Sequence, residues 1–258
     1  METITIFSRQ IPVYGLLGVI GVLLGIAYLL IVCKVKGKNF DDTLYIFLWG
    51  CVSAMIGAKI LYLLININQI LNLLSFYPNK LKEILWTYFS GGFVFYGGLI
   101  GAIIGVILAS KYFSFSPLEQ LNLCIPLVPL IHGFGRIGCH LVGCCYGAEY
   151  FGPLAINYST SLYAPNGVPL FPVQLIESIL DFVLFVVLTY FFFKSTLKNN
   201  LIYIYLLSYS VIRFVLEFFR GDSLRGFLGV FSTSQWISIS IWLVLLIVLV
   251  KKRKSSTA

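Results

Sequence analysis

The chain has 258 residues, of which 59% are apolar and only 11% charged, with a formal net charge of +8 and a mean hydropathy of +0.94. A soluble domain of average composition carries about 25% charged residues, so this balance excludes an ordinary soluble enzyme and describes a polytopic, all-α integral membrane protein. The positive balance is a topology signal and implies no nucleic-acid partner.

Apolar runs of about 20 residues, enough to cross a roughly 30 Å hydrocarbon core, place seven spans near 14–33, 43–66, 91–110, 118–135, 172–193, 201–219 and 234–250. The first run is expected to stay in the chain, because its basic cluster follows the apolar stretch and no small-residue cleavage site is evident. No linker, repeat or low-complexity tract interrupts the body, so residues 1–258 read as a single transmembrane domain. Lys59 and Arg213 fall inside the second and sixth runs, and those faces must therefore be lined by protein.

Lys and Arg orient the bundle. One set of connections holds Lys34, Lys36, Lys38, Lys111, Lys194, Lys198 and Lys251, Lys252, Arg253 and Lys254, ten residues; the other holds Arg9, Lys80, Lys82, Arg136, Arg220 and Arg225, six. The positive-inside rule puts the first set in the cytoplasm. The N-terminus is then expected outside and the C-terminus inside, with the loops 144–171 and 220–234 on the outer face.

The most informative stretch runs from His132 to Gly147, HGFGRIGCHLVGCCYG. It sets an arginine, two histidines, three cysteines and several glycines between apolar spans. Intramembrane charge is costly and marks function unless a helix end merely lets the side chain snorkel. The glycines predict tight, non-helical backbone and close ligand approach, so the stretch predicts a polar pocket in an apolar body.

The cysteines divide into two kinds. Cys33, Cys51 and Cys124 lie in apolar runs and read as small buried hydrophobes. Cys139, Cys144 and Cys145 cluster with His140, and three readings fit them: small residues packing a re-entrant turn, a disulfide from Cys139 to Cys144 or Cys145 in an oxidising compartment, or a metal site. The C-x4-C-C spacing lacks the usual C-x2-C of metal motifs, so no metal and no cofactor is expected.

Several blocks in this order resemble the prolipoprotein diacylglyceryl transferase family of bacteria. Gly135-Arg136-Ile137-Gly138 with Gly143 and Gly147 resembles its central signature, and Tyr14-Gly15-Leu16 its Tyr-Gly-Leu. Gly57-Ala58-Lys59 with Tyr62 is similar to its Gly-x-Arg-x-x-Tyr, with Lys for Arg. Gly91-Gly92 and Tyr96 to Gly101 resemble GG-x-x-x-His-GGLIG. Pro172, Gln174, Leu175 and Glu177 resemble Pro-x-Gln-Leu-Tyr-Glu, and Tyr209, Arg213-Phe214, Glu217, Phe218 and Arg220 the family's Tyr-x-x-x-Arg-Phe-x-x-Glu-Phe-x-Arg; Ser234 and Gln235 also fit. Three positions depart: Cys139 stands where the family has Asn, Cys144 where it has Glu, and Tyr96 where it has a His proposed as a base.

The resemblance implies an enzyme of the bacterial cytoplasmic membrane that moves the diacylglyceryl group of phosphatidylglycerol onto the lipobox cysteine of a prolipoprotein signal peptide, or onto another membrane acceptor, and releases glycerol phosphate. A phosphate leaving group calls for planar guanidinium groups. Arg136 and Arg213 are the expected pair, with Glu217 one turn after Arg213 on the same face; the bland alternative is that Arg213 and Glu217 pair only to make burial tolerable. Arg220 is either an interfacial anchor or a second phosphate contact. His140 is a candidate proton acceptor for the attacking thiol, whereas His132 reads as span packing. Tyr96 and Tyr14 can donate to a headgroup oxygen, and Gly138 and Gly147 give the backbone room. A thiol- or metal-binding redox protein is the alternative of a different class, but redox work does not require Arg136, Arg213 and Glu217.

Overall fold

The computed structural model describes residues 3–6, 9–194, 200–222 and 226–256. Lys198 and Arg225, counted above for orientation, lie outside the described residues. Among the described residues, seven helical segments are long and apolar enough to cross a membrane: Val13–Lys36, Phe40–Ile65, Phe95–Tyr112, Pro117–Val142, Val173–Lys194, Leu201–Phe219 and Thr233–Lys251. The expected all-α, seven-span architecture is borne out.

In chain order the elements are β1 (Thr3–Ile6), β2 (Arg9–Pro12), α1 (Val13–Lys36), α2 (Phe40–Ile65), α3 (Ile67–Phe76), α4 (Leu81–Ser90), α5 (Phe95–Tyr112), α6 (Pro117–Cys124) and α7 (Leu127–Val142). There follow β3 (Ile156–Asn157), β4 (Pro169–Leu170), α8 (Val173–Lys194), α9 (Leu201–Leu216), β5 (Phe227–Leu228), β6 (Phe231–Ser232) and α10 (Thr233–Ser256). The strands form three antiparallel pairs, β1 with β2, β3 with β4 and β5 with β6. Two compact units are present, one of Leu29–Cys124 and one of Met1–Tyr28 with Ile125–Ala258.

In the Leu29–Cys124 unit, α2 begins at Asn39, whose Oδ1 accepts the backbone N–H of Asp41 at 2.9 Å. Asp41 and Asp42 occupy the first turn, where the helix dipole favours negative charge. Helix α2 then lies against α5 along small residues. A Cβ on Gly97 or Gly57 would strike the other's carbonyl oxygen, and one on Gly101 would strike the Ser53 carbonyl. Lipid-embedded helices gain little from burying apolar surface against each other, so they associate by close backbone approach at small residues.

Residues 91–94 were expected to open the third span, but α5 starts only at Phe95. Lys59 of α2 gives the reason: its ammonium donates to the Gly91 carbonyl and, at 3.0 Å, to that of Gly92, holding those carbonyls out of a helix. The same ammonium lies 4.3 Å from the centre of the Phe93 ring, so the intramembrane charge is lined by protein as required. The connection between the second and third spans contains α3 and α4, two ten-residue helices too short to span. Cys33 and Cys124 are buried and Cys51 half-buried, in keeping with their reading as small hydrophobes.

In the other unit, α8 packs on α7. The Phe182 ring lies where a Cβ on Gly133 would stand, 2.8 Å from its edge, and the Ser178 hydroxyl donates to the Gly133 carbonyl at 2.9 Å. Helix α10 opens with a reciprocal cap in which the Ser232 N–H donates to Gln235 Oε1 at 2.9 Å and the Gln235 N–H to Ser232 Oγ at 3.3 Å; two orphan donors are satisfied at once. Trp242 Nε1 of α10 donates to the Ser210 hydroxyl of α9 at 2.7 Å.

The fourth span differs from expectation in length and character. It breaks at Pro126 between α6 and α7, and α7 runs on to Val142 rather than stopping near 135. Gly133, Gly135 and Gly138 are therefore helical, not turn residues. At Gly133 and Gly138 the missing side chain serves close packing, and of this stretch only Gly143, at φ 85°, takes the left-handed conformation that ends the helix.

The α2–α5 contact predicts a sharp response to bulk. Gly101→Leu should destabilise the Leu29–Cys124 unit by about 3 kcal/mol, the upper end for overpacking, whereas Gly98→Ala, whose Cβ would find ordinary contacts beyond 3.4 Å, should be tolerated. Thermal unfolding of the two purified variants in detergent checks both.

Candidate active site

Buried charge within the Met1–Tyr28/Ile125–Ala258 unit gathers into one alternating chain. Arg136 of α7 sets Nη2 2.5 Å from Glu177 Oε2 of α8, and Arg213 of α9 sets Nη1 3.4 Å from the same oxygen. Arg213 Nη2 lies 2.6 Å from Glu217 Oε2, Arg220 Nη1 lies 3.7 Å from that oxygen, and Arg220 Nη2 lies 2.5 Å from Asp222 Oδ2. Three guanidiniums thus alternate with three carboxylates. Glu177 and Glu217 are 1% and 2% exposed, and Arg213 4%. Charges so deeply buried persist only when paired and hydrogen-bonded.

Helix geometry explains why these residues meet. Arg213 and Glu217 are one turn apart on α9 and its terminal turn, as expected. Arg136 lies one turn after His132 on α7, and Glu177 one turn before Asp181 on α8, so the facing helices make two rungs. The second rung is His132 Nδ1 to Asp181 Oδ2 at 2.9 Å. His132 therefore faces a buried carboxylate as well as packing within its span. Tyr209 OH donates to Glu177 Oε1 at 3.4 Å, and its ring centre lies 5.4 Å from that of His132.

Glu177, Asp181 and Asp222 were not singled out from the sequence as site residues. The signal for the first two was present: two carboxylates four apart in an apolar run must share one face and find cations there. Asp222 follows Arg220 outside the last turn of the sixth span, where nothing in the local pattern marks it.

Arg136 is the least satisfied member of the chain. Its Nε is buried and has no hydrogen-bond partner among the described residues, and its Nη1 lies 3.9 Å from Cys139 Sγ. An unpaired buried donor calls for an explanation such as an absent ligand. Beside it, Tyr14 lies on Gly138, where an added Cβ would stand 3.0 Å from the Tyr14 ring and 3.2 Å from its Cα. Gly138 thus admits Tyr14 beside the arginine's helix, bringing together three of the expected residues.

Gly147 lies against the end of the sixth span. It bridges to Arg220 in the antiparallel sense, and any Cβ there would strike the Phe171 carbonyl. Neighbouring backbone bonds, from Ala148 N to Phe219 O at 2.8 Å, Phe171 N to Ala148 O at 2.9 Å and Gly221 N to Tyr146 O at 3.0 Å, pin the segment after Cys145 to the end of the sixth span. Arg220, outside the last helical turn, keeps its charge well above the ordinary range, because the hydrogen bonds it donates to the Asp222 carboxylate outweigh burial.

His140 and Tyr96 fall elsewhere. The His140 ring engages Tyr158 of the 144–171 segment, Nδ1 to OH 3.3 Å, while the same hydroxyl donates to the His140 carbonyl at 2.9 Å. Tyr96 is 4% exposed in the first turn of α5 and belongs to the Leu29–Cys124 unit, beside Phe95 with ring centres 6.0 Å apart.

All six cysteines are free thiols, so no disulfide closes the 139–145 turn. The sulfurs of Cys139, Cys144 and Cys145 nevertheless lie within 4.8 Å of one another. Thiol hydrogen bonds from Cys139 and Cys144 hold the Cys145 thiol well below the usual range, helped by the charges of Arg136 and Arg220, while hydrogen bonds to Cys139 and Cys145 push Cys144 up.

Two outcomes follow. Glu177→Gln leaves Arg136 and Arg213 without their shared counter-charge and should cost about 3–5 kcal/mol, read as a lowered unfolding midpoint in detergent. Because the thiolate is the reactive form, Cys145 should alkylate with iodoacetamide below the ordinary thiol range and Cys144 only at higher pH than Cys145; mass spectrometry across a pH series checks the order.

The sequence matches the family model described as prolipoprotein diacylglyceryl transferase over residues 2–251. It is 35% identical over 234 residues to the phosphatidylglycerol–prolipoprotein diacylglyceryl transferase of Clostridium tetani, covering 91% of this chain and 90% of that one. It is 36% identical over 236 residues to the second such transferase of Clostridium perfringens, covering 92% and 89%. It is 30% identical over 252 residues to the transferase of Finegoldia magna, covering 97% and 94%. With the charged chain of Arg136, Glu177, Arg213, Glu217 and Arg220 assembled and the match spanning nearly its whole length, the protein belongs to the prolipoprotein diacylglyceryl transferase family.

Proposed function

We propose that this chain transfers the diacylglyceryl group of phosphatidylglycerol to a cysteine thiol of a prolipoprotein. The observation that carries the reading is the buried guanidinium row of Arg136, Arg213 and Arg220, balanced by carboxylates yet leaving Arg136 Nε unpaired. A row of this kind suits a phosphate, which accepts several charge-assisted hydrogen bonds at once.

In the reaction the thiolate attacks the glycerol carbon that carries the phosphoester. A sulfur–carbon bond forms, the carbon–oxygen bond breaks, and glycerol phosphate leaves with the electron pair. The thiol proton passes to a base. Arg136, with Arg213 behind it, meets the charge developing on the leaving phosphate. Glu177 and Glu217 act as positioning residues, holding the guanidiniums in plane. Tyr14, next to Gly138, donates to a headgroup oxygen, and Gly147 lets the Phe171 backbone close against the strand bridge to Arg220. His140 remains the proposed proton acceptor, by way of Tyr158 rather than by a bond to the arginine row, and Tyr96 a proposed hydrogen-bond donor to a headgroup oxygen.

The protein is a multi-pass membrane protein, and we place it in the bacterial cytoplasmic membrane with the N-terminus and the Arg136 end of α7 outside and the C-terminus inside. The ten-to-six asymmetry of Lys and Arg supports that orientation. The acceptor is the lipobox cysteine at the end of a signal peptide.

The test is reconstitution of the purified chain in phosphatidylglycerol vesicles with a lipobox peptide. The expected result is a peptide heavier by one diacylglyceryl group together with released glycerol phosphate; an unmodified peptide, with the protein correctly folded, overturns the acceptor. In the same assay Arg136→Lys keeps the charge but loses the planar fork, and turnover should fall at least tenfold, equivalent to about 1.4 kcal/mol. Near-normal turnover would remove Arg136 from the phosphate.

A further inference from the structure

The three thiols at the end of α7 meet in space although their spacing resembles no metal motif. Gly143, at φ 85°, turns the chain back on itself. Its N–H bonds the Cys139 carbonyl at 2.9 Å, and Cys144 Sγ lies 3.8 Å from that same carbonyl. Cys145 then adopts φ 55°, a left-handed conformation that non-glycine residues rarely take and that brings its sulfur toward the other two. Gln174 Nε2 locks the turn from α8 by donating to the Cys144 carbonyl at 2.9 Å. The sulfurs lie within 4.8 Å of one another, Cys139 buried and Cys144 and Cys145 half-buried.

A cation with bonds of about 2.3 Å to sulfur needs its sulfurs about 4 Å apart, so the present spread closes on a metal with sub-ångström movement. Three thiolates around a divalent ion leave one net negative charge. The Arg136 guanidinium, 3.9 Å from Cys139 Sγ, is the counter-charge already in place. Soft thiolate donors select thiophilic ions such as Zn2+ or Cd2+ over Mg2+ or Ca2+.

We propose that Cys139, Cys144 and Cys145 form a three-thiolate cup for one thiophilic d10 cation, and that the filled cup draws on Arg136 and so competes with the lipid phosphate. The first half stands on the thiol geometry alone. The second rests on the reading of Arg136 as a phosphate-binding group. Loading displaces the remaining thiol protons to solvent.

The experiment titrates Cd2+ into the purified, reduced full chain and follows sulfur-to-cadmium charge-transfer absorption. The expected result is saturation at one ion per chain, with Cys139, Cys144 and Cys145 protected from alkylation in the unmodified protein, so that no variant need fold for this readout. The triple variant Cys33→Ser, Cys51→Ser, Cys124→Ser should bind like the unmodified chain, and Cys145→Ser at least tenfold more weakly. Absence of the absorption band, or unchanged alkylation at these three positions, overturns the cup. In the vesicle assay, bound Cd2+ should raise the KM for phosphatidylglycerol; a filled cup with unchanged KM overturns the competition and leaves the transferase reading untouched. An inactive preparation that still binds one ion would count against the transferase reading alone.

Discussion

The carboxylate of Glu177 is the interaction on which the rest of this site depends. It lies 2.5 Å from Arg136 and 3.4 Å from Arg213, joining cations on α7 and α9 from a helix that lies between them in the sequence. Neither arginine is tolerable alone in a low-dielectric interior, and neither is Glu177. A bridging carboxylate between two guanidiniums carries an excess positive charge locally, which Glu217 and Asp222 compensate further along. Such an arrangement contributes less to stability than its pairing suggests, because desolvation offsets most of the Coulomb gain. What it does supply is geometry, since each guanidinium is held in place by a carboxylate of a neighbouring element.

A second constraint is steric. Membrane helices that cannot rely on water to drive them together approach through missing side chains, and the glycines here serve that purpose at separate places. Gly57, Gly97 and Gly101 bring α2 and α5 together within the Leu29–Cys124 unit. Gly133 receives Phe182 and Gly138 receives Tyr14 within the other. In the latter case the packing also sets the Tyr14 phenol against the helix that carries Arg136. Gly143 is used instead for its backbone freedom, and the fold of the thiol cluster follows from that left-handed residue together with Cys145.

The departures from the family pattern take on a consistent character in three dimensions. Cys139 and Cys144 replace an amide and a carboxylate, removing hydrogen-bonding and negative charge from the end of α7. The neighbouring Cys145 completes a cluster of polarizable groups beside Arg136. Along the arginine row the counter-charges are Glu177, Glu217 and Asp222. The His132–Asp181 pair adds a second titratable rung one helical turn from the arginine.

The sequence by itself determined the membrane class, the seven spans and the arginine positions, because bilayer thickness imposes run length and the cost of buried charge makes each intramembrane Arg conspicuous. It also placed Glu217 with Arg213, a contact set by helix pitch alone. What it left undecided depends on distance through space. The pairing of Arg136 with Glu177 and of His132 with Asp181 requires two helices in a particular rotation, which no periodicity within one helix reports. The delayed start of α5 depends on a lysine more than thirty residues earlier taking the carbonyls of Gly91 and Gly92. The convergence of three sulfurs depends on the φ of Gly143 and Cys145, and spacing rules drawn from other metal sites carry no information about a turn they do not contain.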